Sequence, residues 1–190
     1  RQAVRLNEDY IPAYLWLGGL LGELGRLPEQ RQILQQAMAM DPLNELLLVQ
    51  YTGNLSIRGE SERGRDMMGE LLMLRPDSTI LLRFKSKLEL YNGNLVEGWK
   101  LANRAYQLQP NNPDDIATLA RTWVLLGDVE AAERLLLDGL ADSPNSANLQ
   151  GAYWMLLLST RRLEEAERLV RAKRAEYGDA IPEFARRRLD

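Results

Sequence analysis

Gly18, Gly19, Gly22 and Gly25 form the first cluster in this 190-residue sequence whose types and spacing could do chemistry. Glycine-rich loops hold phosphates when successive backbone N–H groups face the anion and a helix follows a strand. The spacing here fits neither G-x-G-x-x-G nor G-x-x-x-x-G-K-[ST], and no strand-like run precedes it. Gly18 and Gly25 are therefore expected to serve close helix contact and helix termination. Two acidic groups, Asp114/Asp115 and Glu164/Glu165/Glu167, could hold a hard cation or act as an acid–base pair. Both lie at expected helix starts, where carboxylates complement the dipole. Glu164 and Glu167 also have Arg168 and Arg171 four residues on. A solvated helix face is the expectation for both groups. Cysteine and histidine are absent, which excludes disulfides, thiolate and imidazole metal ligands, Cys or His nucleophiles and a histidine pH switch. No arrangement of nucleophile, base and orienting group is legible. The chain is read as non-enzymatic, with no cofactor and no metal.

The net charge is −3 with both signs interspersed, so no basic footprint points to nucleic acid as a ligand of this segment. The longest uncharged run, Ser143 to Thr160, includes Pro144, Asn145, Ser146, Asn148 and Gln150. A spanning helix needs about 20 mainly apolar residues, and no membrane insertion is expected. No charged-then-apolar leader is visible, and the compartment stays open between cytoplasm and periplasm. With 45% hydrophobic and 27% charged residues, the composition is that of a folded chain with a sizeable core.

The elements that must position any site follow from a ladder. Pro42, Pro76, Pro110 and Pro144 are each 34 residues apart, as are Gly25, Gly59, Gly93 and Gly127. Glycine ends a helix in the left-handed region without steric cost, and proline stops the chain from donating onward. The first unit, 11–44, carries Tyr14, Leu17, Gly18 and Leu21 on one helical stripe, then Leu34, Ala37 and Met40 on a second. Gln30 stands where a small residue is expected. The units 45–78 and 79–112 repeat the pattern, but Lys85 and Glu89 occupy stripe positions that are apolar elsewhere. Either they form a partly buried pair, or the helix turns so that Leu81, Phe84, Leu88 and Tyr91 face the core. The unit 113–146 is the most regular, with Asn112 as cap and Pro113 in the first helical position. The unit 147–180 is degenerate: Trp154 replaces the small residue, Arg161 the turn glycine and Gly178 the proline. Residues 1–10 read as the end of a preceding unit's second helix, with Ala3, Leu6 and Glu8 one period before Ala37, Met40 and Pro42. Residues 181–190 read as a further helix or cap containing Phe184 and the run Arg186, Arg187, Arg188.

A fixed period of ~34 residues, with Tyr14-x-x-Leu17-Gly18-x-x-Leu21, Leu34-x-x-Ala37 and Pro42, resembles the tetratricopeptide repeat. The resemblance covers nearly the whole chain. It implies an all-α fold: an α-solenoid of five stacked helix-turn-helix repeats in a right-handed superhelix, part of a longer, bacterial polypeptide. In this family the first helix of each pair lines the concave side. The residues expected there are Pro12, Trp16, Gly19 and Glu23; then Leu46, Gln50, Gly53 and Ile57; then Ile80, Phe84, Lys87 and Tyr91; then Asp114, Thr118, Arg121 and Leu125; then Asn148, Ala152, Met155 and Ser159. Leu15, Val49 and Arg83 flank them. The candidate partner-binding residues are Trp16, Leu46, Gln50, Ile57, Arg83, Phe84, Lys87, Tyr91 and Arg121. Exposed apolar groups beside Arg83, Lys87 and Arg121, opposed by Asp114 alone, would suit a protein or peptide segment with an apolar anchor and acidic residues. The alternative is that Trp16 and Phe84 pack inward and the cations only solubilise. Some members clamp the C-terminal carboxylate of heat-shock chaperones with a lysine–asparagine–asparagine–lysine–arginine set; Arg83 and Lys87 could begin it, but Thr118, Asn148 and Ala152 break it.

The resemblance implies a non-catalytic interaction scaffold. Its alternatives are the regulatory half of a bacterial signalling protein or transcription regulator, and an envelope scaffold for polysaccharide export. Self-association through exposed repeat ends is a further expectation.

Overall fold

A computed structural model describes residues 2–7 and 9–177. The register of Glu8, the substitution at Gly178 and the helix or cap expected at 181–190 lie outside the described residues. Within them the chain is helical, with no strand: α1 (Gln2–Leu6), α2 (Ile11–Glu23), α3 (Leu27–Met40), α4 (Glu45–Ile57), α5 (Ser61–Leu74), α6 (Thr79–Tyr91), α7 (Leu95–Leu108), α8 (Pro113–Leu126), α9 (Val129–Asp142), α10 (Ala147–Ser159) and α11 (Leu163–Tyr177). No described helix is long and apolar enough to cross a membrane.

Short-range chemistry sets these boundaries. Gly25, Gly59, Gly93 and Gly127 adopt φ between 69° and 90°, the left-handed conformation that only glycine takes without cost. Each reverses the chain so that the next residue's N–H reaches back five residues, as from Arg26 to the Leu21 carbonyl at 2.8 Å and from Asp128 to the Trp123 carbonyl at 2.9 Å. This is the Schellman closure of a helix end. Arg161 makes the same turn at φ 59°, and Arg162 N–H bonds the Leu157 carbonyl at 2.8 Å. The degenerate unit thus keeps the turn and bears strain that glycine relieves elsewhere. An L-residue in this region costs about 1–2 kcal/mol, of which glycine's looser unfolded state returns part. Arg161→Gly is expected to stabilise the protein by about 0.5–1 kcal/mol, read as a higher urea midpoint at unchanged m-value. At the other helix ends, the side chains of Asn44, Ser78 and Ser146 accept from the N–H of Leu47, Leu81 and Leu149, and Asn112 accepts from that of Asp114 at 2.9 Å.

The helices gather into two compact units, Arg1–Asp115 and Ile116–Asp190, whose boundary falls inside α8. In the first unit α2 pairs with α3, α4 with α5 and α6 with α7, while α2 touches α4 and α4 touches α6. Two apolar clusters hold it together. Tyr14, Leu34, Ala37, Leu47, Tyr51 and Leu55 form one; Leu48, Met68, Leu71, Leu81 and Leu88 form the other. In the second unit α10 packs on α9 and α11, and Leu136, Leu149, Leu156, Leu157 and Ala166 are buried.

Two departures from the pattern are resolved in the first unit. Lys85 and Glu89 do not pair. Glu89 is buried and accepts from Asn94 Nδ2 at 2.8 Å, with Arg65 at 3.5 Å. Half-buried Lys85 reaches over α5, where a Cβ on Gly69 would stand 3.1 Å from its Nζ. The rotated-helix alternative holds in part: Leu81 and Leu88 are buried and Phe84 packs half-buried against their cluster, while Tyr91 is 89% exposed. Gln30, the misfit at the small-residue position, is also buried: its Nε2 donates to the Gly18 carbonyl at 3.0 Å, and its Oε1 accepts from Asn54 Nδ2 at 2.8 Å.

Candidate functional site

Residues 34 apart occupy equivalent places on α2, α4 and α6, so the contacts between these helices turn the sequence register into a grid. Across the three helices run the rows Pro12–Leu46–Ile80, Trp16–Gln50–Phe84, Gly19–Gly53–Lys87 and Glu23–Ile57–Tyr91. Trp16 is 81% exposed, Ile57 69% and Tyr91 89%, and Leu46 is exposed too. Leu20, one turn beyond Trp16, is exposed as well; α2 has no charge before Glu23, a sign in the sequence that no single face of it is polar. Trp16 therefore does not pack inward. Phe84 does so partly, half-buried against the cluster of Leu48, Met68, Leu71, Leu81 and Leu88. Gln50 is half-buried and bridges helices, donating from Nε2 to the Leu15 carbonyl at 3.1 Å. Its Oε1 is buried without a hydrogen-bond partner.

The cations are placed differently from the sequence expectation. Arg83 is only 8% exposed. Its guanidinium bonds Asp115 Oδ1 at 2.9 Å and lies 3.4 Å from Asp114. Asp115 is fully buried, so the solvated helix face expected for Asp114/Asp115 is not what forms. Asp115 answers Arg83 from the first turn of α8, where the helix dipole adds to the attraction. Lys87 stands 4.5 Å over the Phe84 ring, a cation–π distance. Arg121 belongs to the second unit, half-buried on α8. Thr118 and Ala152, expected on the concave stripe, are buried, whereas Leu125 and Met155 are exposed.

No three His, Cys, Asp or Glu side chains come together as a metal site among the described residues. A depression of about 290 Å³ is lined by Val4, Leu17, Leu21, Glu29, Gln32, Ile33 and Gln36 and presents no pairing of nucleophile with base.

A family model described as "Tetratricopeptide repeat" matches residues 89–156. A thermophilic TPR protein of Thermus thermophilus is 21% identical, with a TM-score of 0.75 over 94% of this chain and 96% of that one. The chain has the helical-repeat fold of tetratricopeptide proteins, and its residues 89–156 match that family's model. PilW, a type IV pilus biogenesis factor, is similar at 16% identity and a TM-score of 0.65, covering 100% of this chain and 87% of that one. Pseudomonas aeruginosa pilF is similar at 15% identity and a TM-score of 0.64, covering 85% and 74%. These likenesses concern the all-α helical-repeat solenoid fold. No curated protein sequence gives a significant match.

Within this tetratricopeptide fold the titrating groups divide into two kinds. The hydrogen bond from Arg31 lowers the pKa of Glu60, and that from Arg162 lowers the pKa of Glu165. Burial raises the pKa of Asp115, with Arg83 opposing. A carboxylate lowered in the folded state contributes stability above its unfolded pKa, and the contribution is lost as pH falls through the folded value. A raised one has the opposite sign, because the folded state takes up the proton first. On acidification from pH 7 to 3, Glu60→Gln should therefore lose less stability than the parent, and Asp115→Asn should lose more. Urea midpoints across that range check both signs. Of the pairs expected on α11, Glu167 meets Arg171 at 2.6 Å, whereas Arg168 contacts the Glu164 carbonyl rather than its carboxylate.

Proposed function

We propose that this chain is a non-catalytic interaction module that takes a partner segment on the α2–α4–α6 face of its first unit. The observation that carries this reading is the set of exposed apolar side chains, Trp16, Leu46, Ile57 and Tyr91, on three adjoining helices. Large exposed apolar groups arrayed together mark interaction surfaces in soluble proteins. The helices beneath are fixed by their own cores, so little further ordering entropy opposes association. The partner expected from the sequence had acidic residues to meet Arg83, Lys87 and Arg121. Arg83 is already committed to Asp114 and Asp115, which shifts the recognition in this unit toward apolar contact.

The test uses peptides selected from a phage-displayed random library on the whole chain. Trp16→Ala and Ile57→Ala should each weaken capture about tenfold or more, as truncation of an aromatic or apolar anchor does, with thermal unfolding unchanged because both side chains are exposed. Capture indifferent to both substitutions would remove this face from the function.

A further inference from the structure

Arg26 belongs to a three-residue charge set that the chain completes at two other repeat junctions. Ahead of α5, Glu60 accepts from Arg31 at 2.8 Å, with Arg63 at 3.7 Å. Three periods on, ahead of α11, the same positions carry the opposite charges. Arg162 holds Glu165 through Nε and Nη2 at 2.7 and 2.8 Å, and its Nη1 reaches Glu133 at 2.6 Å. The junctions between these two carry Asn94 and Trp99 in the set. Ahead of α3, Arg26 holds Glu29 as Arg162 holds Glu165, through Nε at 2.6 Å and Nη2 at 2.7 Å. Among the described residues its Nη1 meets no acceptor. The position that would supply one, a period before Arg31, falls four residues ahead of Arg1.

An apolar seat adjoins this arginine. Val4, Leu17, Leu21 and Ile33 line the depression, and so does Glu29. One period on, the apolar four become Met38, Tyr51, Leu55 and Met67, and there Leu34 packs among them, fully buried. Leu136, at the same place three periods on, is buried too. The equivalent of Leu34 at the depression is the residue immediately ahead of Arg1. Both places share one register with α1. Gln2–Leu6 stand where 36–40 stand on α3, and α1 already packs on α2, with Val4 against its cluster. The open places are the equivalents of 27–35, directly ahead of α1. A separate helix seated in that register would run into α1, whereas turns continuous with it would not.

We infer that this end of the array seats about two further helical turns of the same polypeptide, running into Gln2. They set an aliphatic side chain, immediately ahead of Arg1, into the depression. They also set an aspartate or glutamate, four residues ahead of Arg1, on Arg26 Nη1. The sign of the charge is selective: a second helix with arginine there, as α3 has Arg31, would meet Arg26 like to like.

The segment Val129–Leu137, joined directly to Gln2 in place of Arg1, brings copies of Glu133 and Leu136 to these positions and serves as the probe. It should raise the urea midpoint without lowering the m-value. Arg26→Gln should lower the folding constant at least about threefold more in the extended chain than in the parent. Glu→Gln at the copy of Glu133 should remove that difference. The chain extended by the residues its own gene encodes ahead of Arg1 should show the same coupling. An extension that adds no stability, no coupling to Arg26, or coupling in the grafted chain alone overturns the inference. A concentration-dependent midpoint of the parent that Arg26→Gln abolishes would give the seat to a second copy, and overturns it as well.

Discussion

Replacing Arg83 by methionine is expected to cost about 3–5 kcal/mol of folding stability, the largest effect of any single exchange considered for this chain. The side chain removed is almost wholly buried and holds Asp115 Oδ1 at 2.9 Å. Asp115 is fully buried, and its Oδ2 already lacks a hydrogen-bond partner. Without Arg83 the carboxylate would have to stay charged in an apolar setting or take a proton against bulk pH, and either course is costly. Asp115→Asn keeps the shape and an acceptor oxygen for the guanidinium, and should cost less, about 1–3 kcal/mol. The double exchange Arg83→Met with Asp115→Leu should recover most of the loss, because well-packed apolar residues commonly replace a buried ion pair at little cost. Urea unfolding of the parent, Arg83→Met, Asp115→Leu and the double variant closes the cycle. A double variant as unstable as Arg83→Met would show that the pair is not where the energy lies.

The same pair shows what was legible in the sequence and what was not. The fold was legible because it rests on local chemistry repeated at one period: glycine at a left-handed turn, proline after the second helix, and small polar caps before the first. Each of these acts within five residues, and the structure places them at the helix ends. The stripe with Trp16, Ile57 and Tyr91 came from the repeat resemblance, which left Tyr91 open between core and groove; all three side chains are exposed. The pairing of Arg83 between successive repeats was not legible, because Arg83 and Asp115 meet over 32 residues and each looks like an ordinary surface charge by itself. Register held the missing signal. Asp115 stands one period after Leu81 and one before Leu149, both fully buried. A carboxylate at a core position demands a buried partner, and Arg83 is within reach of it on the preceding first helix. Glu89 follows the same logic, one period after buried Leu55. Charges at core positions therefore called for partners inside the protein before any ligand was considered.

Gly22→Ala should cost about 1–3 kcal/mol even though alanine is the better helix former. The reason lies in the misfit at Gln30. Its period equivalents are Gly64, Gly98 and Ala132, so the first repeat carries an amide where these carry at most a methyl. Room for it comes from Gly22, where a Cβ would stand 2.5 Å from Gln30 Nε2. The amide cannot simply swing away. It donates to the Gly18 carbonyl at 3.0 Å and accepts from Asn54 at 2.8 Å, and Asn54 is itself buried with Oδ1 unpartnered. Displacing the amide would break two hydrogen bonds, each worth about 0.5–1.5 kcal/mol, although Asn54 Nδ2 keeps its bond to the Leu27 carbonyl at 2.9 Å. Gln30→Ala alone breaks the same bonds and opens a cavity. In Gly22→Ala/Gln30→Ala, however, the new methyl has a place to go. The double variant should therefore be more stable than the sum of the single losses predicts, by about 1–3 kcal/mol. Additive losses would mean that Gly22 is glycine for some reason other than Gln30. Coupling of that size would instead show that one exchange at a small-residue position was absorbed by a second, eight residues before it, which leaves the helix register intact and the α2–α4–α6 face undisturbed.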